Sequence, residues 1–278
     1  MSSDKLTAMQ TMINAQVAPI GVFDSGVGGI SVLQHIRALL PHEDLIYLAD
    51  SKHAPYGNQT PEFIQARSFY LADFLLKQGA KALVVACNTA TAAAVSALRE
   101  RYPNLLIIGM EPAVKPAVAA TKTGVVGVLA TSGTLKSAQF AALLEHYGQG
   151  VQIVTQACIG LVECVEKGAL TSPATRALLK QYIQPLLAAK ADTIVLGCTH
   201  YPFVRALIED LLGKEIVLID TGAAVAKHLK NRLQQAHMLN ASNLAGEVSF
   251  WSNSESEDAA TVISALWGSK LSVAHLAD

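Results

Sequence analysis

Short apolar runs alternate with longer stretches of helical periodicity along most of the chain. IGVF (20–23), DLIYLA (44–49), ALVVA (82–86) and LLIIG (105–109) predict strands. ISVLQHIRALL (30–40), PEFIQARSFYLADFLLKQG (61–79) and TAAAVSALRERY (91–102) predict helices between them. The pattern restarts with TGVVGVLA (123–130), VQIVTQA (151–157), DTIVLG (192–197) and EIVLID (215–220), again with helical stretches between. Strand–helix alternation implies right-handed βαβ units and parallel sheets covered by helices, an α/β fold.

The restart carries an internal repeat. GVFDS (21–25) resembles GVLAT (127–131) at an offset of 106, and VVACNT (84–89) resembles VLGCTH (195–200) at an offset of 111. Two similar α/β domains follow, with the active site in the cleft between them. The prolines of EPAVKP (111–116) mark the boundary. After Asp220 the pattern changes to a helix (223–237), a strand EVSFWS (247–252) and a further helix (260–268), expected to pack back on the first domain. The expected division is therefore 1–112 plus 222–278, with 1–18 as an N-terminal extension, and 113–221.

Composition narrows the class. The chain of 278 residues is 51% hydrophobic and 15% charged, which excludes disorder as a whole-chain state. Its net charge of −1 gives no electrostatic footprint for nucleic acid or an acidic membrane surface. Mean hydropathy is high at +0.33, yet no apolar run approaches the roughly 20 residues of a membrane span. Residues 1–19 lack a basic start and an apolar core, so no signal peptide is read and a cytoplasmic location is expected. The four cysteines form no C-x-x-C pair, against zinc or a redox dithiol.

Two of those cysteines occupy matched settings. Cys87 in LVVACNTAT and Cys198 in IVLGCTHYP each end an apolar run, follow a small residue and precede hydrogen-bonding side chains. A thiol that opens a strand-to-helix turn meets free N–H groups and a helix dipole that stabilise thiolate. One such thiol suggests a nucleophile. Two suggest a base and an acid facing opposite sides of one carbon, the minimum for racemisation or epimerisation. Cys158 and Cys164 lack this context and read as packing.

Asp24, in FDSGVGG after the first strand, is a candidate to tune one thiol. The same glycines with Asp50 invite a dinucleotide reading. Ser31 stands where the third glycine of G-x-G-x-x-G belongs, and Asp24 would set an anion beside the pyrophosphate. Cys198 with His200 suggests a thiol hydrolase, which leaves Cys87 and Asp24 idle. A non-catalytic cleft that only binds a ligand gives the paired thiols no purpose. Thr131 and Thr134 read first as a helix cap, and Pro55, Tyr56 and Gly57 as a turn.

Taken together, GVFDSGVGG, LADSKHAPYG, VVACNTATA, the Thr131–Thr134 loop and LGCTHYP resemble the glutamate racemases of the aspartate/glutamate racemase superfamily. The resemblance spans about residues 20 to 202, and Cys-Thr-His favours glutamate over aspartate racemases. It implies cofactor-independent interconversion of L- and D-glutamate, with D-glutamate feeding peptidoglycan synthesis. Cys87 and Cys198 would be the acid/base pair, Asp24 assisting Cys87, and His200 with Glu166 assisting Cys198. Asp24, Ser25, Pro55, Tyr56, Gly57, Asn88, Thr89, Thr131, Thr134, Thr199 and His200 would surround the substrate. CIGLVECVEKG (158–168) departs from the family's proline-bearing pattern, and Glu163 competes with Glu166 for the assisting role. The extension resembles those of racemases activated by a peptidoglycan precursor, and a homodimer is compatible with the family.

Overall fold

The computed structural model describes residues 16–213, 215–254 and 258–277. The first fifteen residues, on which the expectation of a regulatory extension rests, lie outside them. Among the described residues ten strands form two sheets, and every pairing is parallel. The first sheet contains β1 (Ile20–Asp24), β2 (Leu45–Ala49), β3 (Ala82–Val85), β4 (Leu106–Ile108), β9 (Val248–Ser252) and β10 (Val273–His275), ordered β10-β9-β2-β1-β3-β4. The second contains β5 (Val125–Ala130), β6 (Gln152–Ala157), β7 (Thr193–Gly197) and β8 (Val217–Ile219), ordered β6-β5-β7-β8.

The repeat is therefore topological. The order β2-β1-β3-β4 recurs as β6-β5-β7-β8, so β1 corresponds to β5 and β3 to β7. Those equivalences match the two sequence offsets. The tail from Gly222 breaks the symmetry: β9 pairs with β2, and β10 pairs with β9. β10 is an unforeseen element, three residues long and too short to show a period.

Central strands are apolar on both faces because helices cover both faces. Every residue of β1, β2, β3 and β7 is buried. β6, at the edge of the second sheet, has no fully buried residue. Val22, Tyr47 and Val84 of the first sheet belong to the same contiguous core as Leu129, Ile194 and Leu196 of the second. This shared core fixes the sheets relative to each other and holds the strand ends that carry polar residues. No described helix is long and apolar enough to cross a membrane.

Capping decides where the helices start. Thr60 accepts from the Phe63 N–H ahead of helix Pro61–Lys77, which has proline at its first turn. Helix Asn88–Arg101 begins three residues earlier than its periodicity suggests, because Cys87 is its N-cap. The thiol therefore sits at the helix entrance.

Candidate active site

Ligands of parallel sheets bind beyond the carboxyl ends of strands. Asp24 ends β1, Cys87 follows β3 by two residues, Thr131 follows β5 and Cys198 follows β7. These ends converge on one pocket lined by Ser25, Pro55, Tyr56, Gly57, Cys87, Asn88, Thr89, Thr131, Val162, Cys198, Thr199 and His200. The matched thiols of the sequence thus share a single enclosure. It is small, with about 10 Å³ of open volume, space for about one water. An adjoining cleft of about 700 Å³ shares Gly57 and Thr89 with it.

Each thiol is backed by its own relay. Cys87 Sγ lies 3.6 Å from Ser25 Oγ as donor, and Ser25 Oγ donates to Asp24 Oδ1 at 3.2 Å. The Ala90 N–H donates to Cys87 Sγ at 3.4 Å. Asp24 is fully buried and also accepts from the Ser25 N–H at 2.7 Å and the Gly29 N–H at 2.6 Å. On the other side, Cys198 Sγ lies 3.7 Å from His200 Nδ1, and His200 Nε2 donates to Glu166 Oε1 at 2.6 Å. Glu166 Oε1 also accepts from the Val27 N–H at 2.7 Å, and Oε2 accepts from Ser51 Oγ at 3.1 Å. Thr199 Oγ1, beside Cys198 in the chain, reaches Asp24 Oδ2 at 3.4 Å.

Burial and charge set the protonation states. Burial pushes the Cys87 thiol well up, the Asp24 carboxylate beside it pushes the same way, and the Ala90 N–H opposes both. Burial also raises Asp24, while the positive field of His200 lowers it. For His200, burial disfavours the cation. The hydrogen bonds to Cys198 and Glu166 and their charges outweigh it, so its pKa rises well above the ordinary value. The pocket therefore favours a neutral Cys87 thiol and a protonated imidazole facing Cys198. Burial lifts Cys158 to about 12, which fits the packing role read for it.

Glycines make this contact possible. A Cβ on Gly26 would stand 1.9 Å from Glu166 Oε1, and one on Gly28 would stand 2.2 Å from His200 Nδ1. The glycine loop after β1 lies against the Glu166–His200 pair. Thr89, Thr131 and Thr134 form a hydroxyl cluster, with Thr89–Thr131 at 2.8 Å, Thr89–Thr134 at 3.2 Å and Thr131–Thr134 at 3.0 Å. Thr131 also caps helix Ser132–Leu135, so its capping and its place in the pocket coexist. The Tyr56 hydroxyl is engaged by Asp50.

Asn88 supplies a further signal. Its side chain is buried, and neither Nδ2 nor Oδ1 has a hydrogen-bond partner among the described residues. Leaving a buried amide unsatisfied costs about 1–3 kcal/mol per group. Such a group in a pocket fits a ligand that brings both acceptor and donor. Among the described residues Glu163 makes no hydrogen bond to His200; it lines a small pocket with Cys158 and Ile159 that adjoins the thiol pocket through Pro55, Gly57, Thr131 and Val162.

The family model described as Asp/Glu/Hydantoin racemase matches residues 20–229. The chain belongs to that family. A glutamate racemase of Ectopseudomonas mendocina is 57% identical over 261 residues, covering 94% of this chain and 99% of the relative. A glutamate racemase isoform from Bacillus anthracis superposes with a TM-score of 0.85 at 33% identity, over 94% of this chain and 98% of that one. The Escherichia coli glutamate racemase, solved in complex with L-glutamate and the activator UDP-MurNAc-ala, superposes at 0.82 with 32% identity and the same coverage. The chain is an isomerase, an amino-acid racemase of the glutamate type. Both α/β halves of the racemase are represented in these matches.

Ser51 and the Val27 N–H were missed as partners of Glu166. No local signal marks Ser51, because its contact lies 115 positions away.

Proposed function

We propose that this racemase interconverts L- and D-glutamate by two-thiol acid/base chemistry without a cofactor. The observation that carries the reading is the pair of thiols in one pocket, each with a separate relay: Ser25–Asp24 behind Cys87, and His200–Glu166 behind Cys198. One thiolate takes the α-proton from one face, and the opposite thiol returns a proton to the other. The roles exchange for the other enantiomer. The incoming α-ammonium offsets the burial that holds Cys87 neutral and eases formation of thiolate there.

Ser25, Asn88, Thr89, Thr131, Thr134, Thr199 and the backbone around Gly57 supply neutral donors for the two carboxylates. The pocket's small volume means that glutamate enters when the two α/β halves part along the wider cleft. We assign the halves as residues 1–112 plus 222–278, and 113–221. A Cys198 hydrolase would use only one relay and leave the other idle.

D-glutamate made in the cytoplasm would supply peptidoglycan synthesis, and UDP-MurNAc-Ala is the activator to assay, as it is bound by the Escherichia coli relative. The deciding experiment incubates the purified enzyme with either enantiomer in deuterated water. Cofactor-free deuterium wash-in at the α-carbon is expected; no exchange with either one sinks the reading.

A further inference from the structure

Asp50 follows β2 fully buried, and its carboxylate is saturated. Oδ1 accepts from Arg67 Nη2 at 2.6 Å, Asn253 Nδ2 at 2.6 Å and His53 Nδ1 at 3.1 Å. Oδ2 accepts from Arg67 Nε at 3.1 Å and from the Tyr56 hydroxyl. Burying a carboxylate is costly unless charge pairing and hydrogen bonds fill its lone pairs, and here they do. No oxygen remains for a ribose, so the dinucleotide reading of Asp50 falls.

The cluster holds a segment that reaches across the pocket. Asn253 also accepts from the Lys52 N–H through Oδ1 at 3.1 Å, so the C-terminal tail grips the segment at Lys52 and at Asp50. Tyr56 is anchored by its hydroxyl, which leaves Pro55, Tyr56 and Gly57 lining the thiol pocket. Gly57 packs against the second α/β half so closely that a Cβ would lie 2.8 Å from Thr131 Cβ. Ser51, next to Asp50, donates to Glu166 of that same half. One saturated carboxylate therefore fixes both ends of a strap that touches Glu166 and Thr131.

We infer that Asp50 is a positioning residue: acting through Tyr56 and Asn253, it holds the Ser51–Gly57 strap in the shape that closes the reaction pocket over glutamate. Asp50 itself touches no substrate. The inference rests on the proposed reading of the thiol pocket as the reaction site. It also gives the tail after Gly222 a function at the site.

The test measures racemisation in both directions for wild type, Asn253→Ala and Tyr56→Phe, with melting temperatures. The Phe variant keeps the ring and removes only the hydroxyl on Asp50, so it guards against a fold failure in the other. KM for both enantiomers is expected to rise about tenfold in each variant, with kcat changed less than about threefold. Wild-type KM in both variants, whatever happens to melting temperature, overturns the positioning role and leaves a structural cluster. A fall in kcat at unchanged KM overturns it as well. Failure of the racemase reading would appear separately, as absence of α-proton exchange in the wild type.

Discussion

His200 Nε2 stands 2.6 Å from Glu166 Oε1, while the opposite ring nitrogen faces Cys198 Sγ at 3.7 Å. The imidazole thus connects a carboxylate to a thiol, and Glu166 is the residue that can favour its cationic form. Glu163 lies in the first turn of the same short helix, lines the adjoining small pocket and makes no hydrogen bond to the imidazole. Glu166→Gln is expected to lower kcat by about 10²-fold. Glu163→Gln should stay within about twofold of wild type, since it breaks no contact to the relay. Steady-state kinetics on the two variants decides between them, and the reverse ranking would reassign the assisting carboxylate.

The same contact makes stability depend on pH. The folded-state pKa of His200 is raised above its unfolded value because Cys198 and Glu166 outweigh burial. Its contribution is then fully present below the unfolded value of about 6.5 and is lost as pH rises through the higher folded value. Denaturant unfolding at pH 6, 7.5 and 9 should show this decline in wild type and a smaller one in Glu166→Gln. Equal slopes in the two proteins would mean that Glu166 does not support the imidazolium.

Much of this site was legible because strand ends are punctuated. An apolar run that stops at Asp24, Cys87, Thr131 or Cys198 declares both the strand and the polar group presented beyond it, and the repeat declares that two such sets exist. Distant partnerships were not legible. Asn253 meets Asp50 across 203 positions, and no residue near either one announces the other. Asp50 looked like a candidate ligand group because two of its donors, Arg67 and Asn253, come from a helix and the tail. Nothing beside Gly26 and Gly28 in the chain announces that Glu166 and His200 pack where their side chains would be. β10 escaped because three residues hold no period.

The two relays predict separable half-reactions. With Cys87→Ser, the Cys198 thiolate can still remove a proton from its own face and return solvent deuterium to that face. Cys198→Ser leaves the mirror-image exchange to Cys87. Racemisation should fall by about 10²- to 10⁴-fold in either variant. Residual wash-in should be confined to one enantiomer in the first and to the other enantiomer in the second. Proton NMR of L- and D-glutamate in deuterated water reads both quantities. Exchange of the same enantiomer in both variants would contradict thiols on opposite faces.

Gly28 offers the most local perturbation of the Cys198 side. Its backbone N–H is not what the relay uses; its missing side chain is. A methyl group there would meet His200 Nδ1 at 2.2 Å, well inside contact distance, and the imidazole is buried with little room to retreat. Moving the ring lengthens its contact to Cys198, to Glu166, or to both. Displacement of about 1 Å in a reacting group can cost about 10²-fold. Gly28→Ala is therefore expected to lower kcat by about that factor while a cooperative thermal transition is retained. The exchange assay adds direction: proton removal assigned to Cys198, identified from the paired serine variants, should suffer more than removal by Cys87. Equal loss on both faces would indicate a general collapse of the pocket rather than displacement of His200.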